Sequence, residues 1–153
     1  MSRSRSWPAL CALALLAVGC GDGTNPPITP EQAVEHNLTQ VGELCRNYQF
    51  TKKKPPEKLS DLRLLQTMSA NGYEALRRGD IVLLYNARLP DLAEEPGQTE
   101  TPEILAYAKQ VPVSGGPVLM LNRKIRTMTP EEFKAAPRPA GAKEGTDEPA
   151  AKK

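Results

Sequence analysis

The sequence predicts an α+β domain: a long amphipathic helix packed on a small antiparallel sheet, with a disordered tail. Three observations carry that expectation. Apolar residues recur at helical spacing from Val34 to Tyr48. From Asp80 the period shortens to β-branched and apolar runs of strand length. Residues 20–28 and 137–153, which flank the middle of the chain, contain proline and glycine and lack apolar periodicity. Helices that precede strands in this way make an α+β arrangement.

A length of 153 residues fits one domain of modest size. The formal charge of +2 rests on Arg3 and Arg5 alone. Beyond residue 19 the chain holds 18 basic and 18 acidic residues, so that portion is neutral. It offers no electrostatic reason to expect nucleic acid as a partner.

Residues 1–19 read as a targeting segment. Arg3 and Arg5 stand without an acid, and Ala9–Val18 is an apolar run of about ten residues before small residues and Cys20. The roughly 20 residues of a membrane-spanning helix are not reached. Residues 20–28 then read as a tether, with glycine, Pro26 and Pro27 and little that is apolar.

The domain is expected over residues 29–136. Thr29, Pro30 and Gln32 form a helix start of capping-box type. Val34, Leu38, Val41, Cys45 and Tyr48 make one stripe of a helix running to about Phe50, where Lys52-Lys53-Lys54-Pro55-Pro56 ends it. A shorter helix from Pro56 or Glu57 to about Gln66 buries Leu59, Leu62 and Leu65. Asn71-Gly72 reads as a break, followed by a helical turn or two over Tyr73–Arg78 that Gly79 closes. Ile81–Tyr85 reads as a strand and Asn86–Pro102 as a long surface loop. Residues 104–109 fit either a strand or a helical turn. Ser114-Gly115-Gly116-Pro117 marks a turn, and a hairpin follows from Val118 to Met128 about Asn122-Arg123. Thr129-Pro130-Glu131-Glu132 repeats the capping pattern and starts a short helix holding Phe133. Residues 137–153 lack apolar periodicity and read as the disordered tail.

Candidate chemistry is thin. Cys45 falls on the apolar stripe, as a buried structural cysteine would. His36, the sole histidine, lies off the stripe without companions at metal-ligand spacing. Lys52, Lys53 and Lys54 read as a solvated connection that lipid headgroups could meet. Asp91, Glu94, Glu95, Glu100 and Glu103 concentrate acid in and beside the long loop, without the offsets of a calcium-binding loop. Neither a nucleophile elbow nor a phosphate-binding glycine loop is present. No catalytic, metal or cofactor-binding residue is therefore assigned, and the chain reads as a non-enzyme.

Two resemblances add to this. Ala17-Val18-Gly19-Cys20 resembles the lipobox of bacterial lipoprotein precursors, with the usual leucine one place early at Leu16. The resemblance implies a signal peptide cut before Cys20, lipid attachment at Cys20, palmitate included, and anchoring on the extracytoplasmic side of a membrane. Two or three acyl chains on one residue anchor stably. Lys54-Pro55-Pro56-Glu57-Lys58-Leu59-Ser60-Asp61-Leu62 is similar to the segment after the long helix of type II secretion pseudopilins. Val118–Arg126 is similar to the terminal hairpin of pilin-like proteins, although Asn122-Arg123 replaces their usual Asp-Gly turn. That likeness implies a pilin-like head; the cleavage motif and long apolar helix that pilins polymerise through are absent from this sequence.

The leading expectation is a membrane-anchored envelope lipoprotein that binds an envelope protein partner through the Asn86–Pro102 loop and the sheet edge. The alternatives are an accessory component of a secretion or pilus-like system, and a small-ligand binder or hydrolase using the loop carboxylates.

Overall fold

Thr29 and Gln32 exchange hydrogen bonds, Gln32 N–H to Thr29 Oγ1 at 3.2 Å and Thr29 N–H to Gln32 Oε1 at 3.0 Å. This capping box opens α1 (Pro30–Lys52) in a computed structural model of the chain. The structure describes residues 28–145. The targeting segment, Cys20, most of the tether and residues 146–153 lie outside the described residues. Helix α1 ends at Lys53, whose left-handed backbone (φ 60°) lets its N–H reach Gln49 O.

The second helix is shorter than its leucine spacing predicts. Asp61 Oδ2 accepts from the N–H groups of Glu57 (2.9 Å) and Lys58 (3.3 Å), so α2 starts only at Leu59 and spans Leu59–Leu62. A 3₁₀ turn over Arg63–Leu65 follows. Leu59 and Leu62 are buried as expected, Leu65 partly so, while Leu64 points outward. The break expected at Asn71-Gly72 is instead the first turn of α3 (Ala70–Arg78). Glycine is required there by packing. A Cβ on Gly72 would lie 2.7 Å from Gln40 Cβ of α1, and the Gly72 N–H donates to Gln40 Oε1 at 2.8 Å.

Five antiparallel strands follow: β1 (Ile81–Tyr85), β2 (Ile104–Ala108), β3 (Gly116–Met120), β4 (Ile125–Met128) and β5 (Lys143–Gly145). Their order in the sheet is β4-β3-β2-β1-β5. The ambiguous residues 104–109 thus form the central strand. Its alanines, weak strand formers alone, sit where bulk is unwanted: Ala106 is fully buried in the cluster beneath α1. A register shift between Ile104 and Ala106 bends the pairing with β3. Between β2 and β3, Val111–Ser114 forms a short helix, α4, so β3 begins two residues before the expected Val118.

Alternation in the strands gives the sheet two buried faces. Leu83, Leu105, Ala106 and Leu119 pack with Leu38, Val41, Leu44 and Cys45 of α1. Leu84, Ile104, Tyr107, Val118 and Met120 form the opposite cluster with Phe133 of α5 (Pro130–Ala135), a helix opened by the expected Thr129–Glu132 capping box.

The tail expected to be disordered from residue 137 is instead part of the domain through Gly145. Arg138 donates to the carbonyls of Phe133 (3.2 Å) and Ala136 (2.7 Å), with its guanidinium 4.4 Å from the centre of the Phe133 ring. Pro139 is buried, and Lys143–Gly145 pairs with Tyr85–Leu83 along the open edge of β1. The segment lacks apolar periodicity because backbone hydrogen bonds hold it, and these ask little of side-chain type.

Candidate functional site

Cys20, the one residue with a functional assignment from the sequence, lies outside the described residues. Within the described residues, the densest polar construction is where α1, the Asn86–Pro102 loop and the β3–β4 turn meet.

The loop leaves β1 through Asn86 in a left-handed conformation (φ 65°), with the Asn86 N–H bonded to Pro56 O at 2.8 Å. Ala87 and Leu89 then turn inward and are buried. Gln49 of α1, itself buried, grips Leu89 twice: the Leu89 N–H donates to Gln49 Oε1 (3.1 Å) and Gln49 Nε2 donates to Leu89 O (3.3 Å). One helical turn earlier, Arg46 Nε donates to the carbonyls of Leu92 (3.1 Å) and Ala93 (3.0 Å).

Arg123 completes the grip from the opposite side. It occupies the tight β3–β4 turn with φ 67°, a conformation that costs a non-glycine residue about 1–2 kcal/mol. Its side chain is 3% exposed. Nη1 donates to Glu43 Oε1 at 2.7 Å and to Glu94 O at 3.4 Å, while Nη2 donates to Glu95 O at 3.3 Å and to Ala93 O. Asp91 Oδ1 stands 4.0 Å from Nη2. Glu43 in turn pairs with Arg46 at 3.3 Å through its other oxygen. On the same turn, Asn122 O accepts from the Gly97 N–H (2.8 Å), and Lys124 Nζ lies 3.6 Å from Glu100.

The loop expected to be a solvated surface element is therefore clamped to its own domain. Asp91 and Glu100 face cations of the hairpin turn, and Glu94 and Glu95 contribute carbonyls to Arg123. A guanidinium this buried cannot receive an anion from solution; its work is to fix the loop. Glu43, Gln49 and Arg123 escaped the sequence reading. The available signal was a long cationic residue at a turn position where glycine is usual.

The remaining candidates stand apart. Cys45 is buried, and burial pushes its thiol up to about 12, so it stays protonated and a poor nucleophile. His36 is exposed on α1, 2.7 Å from Gln40 Nε2. Lys52, Lys53 and Lys54 are exposed at the C-terminal end of α1, with Lys53 over the Phe50 ring and Lys54 paired to Glu57 at 2.8 Å. Burial, with the Glu144 carboxylate as a lesser cause, pushes the Tyr107 hydroxyl up to about 12. Among the described residues no group of three or more His, Cys, Asp or Glu could hold a metal ion.

At the other end of the domain, around the first two turns of α1, two shallow grooves adjoin. One, of about 630 Å³, is lined by Ala33, Val34, Asn37, Asp80, Lys109 and Val113 among others. The second, of about 300 Å³, shares Ala33 and Asn37 and adds Ile28, His36 and Arg78. No helix of the described residues is long and apolar enough to cross a membrane.

Compared with protein-family models, with characterised proteins and with solved structures, the chain matches none.

Proposed function

We propose that this chain is a lipid-anchored protein of the cell envelope, a non-enzymatic head held at a membrane surface by acyl chains on Cys20. The observation that carries the proposal is the run Leu16-Ala17-Val18-Gly19-Cys20, closing a short apolar segment behind Arg3 and Arg5. Acylation replaces a membrane-spanning helix as the means of attachment. The non-enzymatic reading draws support from Cys45, whose thiol is buried and protonated. A loop fixed by Arg123, Arg46 and Gln49 presents Glu94, Glu95 and Glu100 in one arrangement, which suits contact with an envelope protein because less order must be imposed on binding.

Metabolic labelling with palmitate tests the anchor. Wild type should take up label and sediment with membranes, and Cys20→Ser should do neither. Label persisting in Cys20→Ser would overturn the assignment.

A second reading makes the chain an accessory component of a secretion or pilus-like system. The long helix laid on an antiparallel meander, with a hairpin followed by a capped helix, is the feature that supports a pilin-like head, although the β5 strand that follows is no part of that likeness. Genes for a secretion ATPase and a prepilin peptidase beside this one would support that reading, and their absence would weaken it.

A further inference from the structure

The end of the domain that carries the tether bears two of the five large apolar residues exposed among the described residues, the others being Phe50, Leu64 and Met68. The chain enters α1 through Ile28, which is 73% exposed. Across the shared grooves stands Val113, 84% exposed on the short helix α4. That helical turn buries Val111 completely and so projects Val113 away from the domain. One exposed aliphatic residue needs no explanation. Two of them flanking the first turns of α1, at the point where a lipid anchor would pull, make a pattern.

We propose that this end of the domain rests on the lipid bilayer, with Ile28 and Val113 meeting the boundary of headgroups and acyl chains. The inference depends on the proposed anchor at Cys20. Eight residue steps separate Cys20 from Ile28, a span of at most about 28 Å when fully extended. Tethering at that range turns surface contact into an intramolecular event, so a patch too weak to bind lipid alone is held against it. Helix α1 is about 34 Å long, which places Phe50 roughly 30 Å along the axis from Pro30. The apolar and cationic group at that far end, Phe50 with Lys52, Lys53 and Lys54, would then face away from the bilayer. Charge around the docking end is mixed. Lys109, Arg77 and Arg78 stand with Glu74, Asp80, Glu31 and Glu35, and two of the cations are paired: Arg77 to Glu74 at 2.7 Å and Arg78 to Asp80 at 2.8 Å. Contact should therefore be apolar in origin and indifferent to anionic lipid.

The test uses the full mature chain, lipidated in a bacterial host and reconstituted in vesicles. Cys45, buried and protonated, leaves an introduced cysteine as the reactive thiol, so Val113→Cys and Phe50→Cys can each carry an environment-sensitive fluorophore. The expected result is a shift to shorter wavelength and quenching by brominated lipid at position 113, with neither at position 50. The shift should be equal in phosphatidylcholine vesicles and in vesicles containing phosphatidylglycerol. Iodide quenching at 113 as strong as at 50, on protein that floats with the vesicles, overturns the docking and leaves the anchor standing. Protein that carries no lipid and does not float overturns both. A shift at 50 instead, or one that needs anionic lipid, assigns contact to the lysine end or to charge and overturns the inference. A shift at 113 that grows with protein density and ignores brominated lipid assigns the surface to a second copy, and does the same.

Discussion

Arg123 concentrates more of the domain's polar bonding than any other side chain described. It joins Glu43 on α1 to three consecutive carbonyls of the loop, at residues 93, 94 and 95, from a turn position with φ 67°. Removing it takes the donor from Glu94 O and Glu95 O, while Ala93 O and Glu43 keep their bonds to Arg46. Glu43 is 33% exposed, so water recovers part of the loss. Arg123→Ala should cost about 2–3 kcal/mol in urea unfolding. Arg123→Gly, which loses the same bonds but relieves the backbone, should be the milder variant by roughly 1 kcal/mol. Lysine should not rescue, since a point charge cannot span Glu43 and the carbonyls together. Equal costs for alanine and glycine would show that the left-handed backbone carries no strain. Cys45 makes a different kind of prediction. Burial raises its thiol from 9.0 to about 12. Between these values the unfolded chain releases a proton that the folded chain keeps. Stability should therefore fall as pH rises from about 9 towards 12, by on the order of 1 kcal/mol per pH unit. Tyr107, raised from 10.0 to about 12, steepens the fall over the upper part of that window. Cys45→Ala should flatten the slope between pH 9 and 10, measured as the urea midpoint against pH.

Among the elements, the C-terminal segment sets the clearest test. Residues 137–145 cap α5 through Arg138, cover the second sheet face and close the edge of β1. A chain ending at Pro137 should lose on the order of 2–3 kcal/mol, from the β5 pairing with β1 and the stacking of Arg138 on Phe133. Amides of Leu83–Tyr85 that face β5 should exchange faster in the truncated chain, and the bared edge should promote association. Unchanged exchange there would mean that the β5 pairing contributes nothing to the fold in solution. This segment also marks the limit of what the residues disclose. Elements driven by side-chain pattern were legible: α1 from its stripe, the two capping boxes from Thr29 and Thr129, β1 and the β3–β4 hairpin from apolar runs. Elements decided by the backbone or by distant partners were not. Asn71-Gly72 looked like a break because a glycine needed for helix packing has the same letter as one needed for a turn. Strand β2 was ambiguous because Ala106 and Ala108 answer to the space beneath their neighbours, which no local window contains. The clamp was invisible for the same reason: Glu43 and Arg123 are 80 residues apart in sequence.

At the scale of the molecule, one sheet serves two cores. Leu83 and Leu84 are neighbours in β1, yet the first packs beneath α1 and the second against the cluster of Tyr107, Val118 and Phe133. The same alternation divides Leu119 from Val118 and Met120 in β3. Neither core can open without tearing the strands that back the other. The loop clamp adds a second tie, since Arg123 links the end of β3 to α1. The described domain should accordingly unfold as one cooperative unit. Two reporters stand on opposite sides of the sheet: the Cys45 thiol in the first core, and the amides of Tyr107 and Val118 in strands that carry the second. Under native conditions, thiol labelling of Cys45 and hydrogen exchange at Tyr107 and Val118 should return the same opening free energy, within the 5–15 kcal/mol typical of such domains. Both should drop by the same amount in Arg123→Ala. A thiol that opens several kcal/mol more easily than those amides would show that α1 lifts off the sheet independently. In that case the helix nearest the tether could part from the sheet while the second core stayed folded.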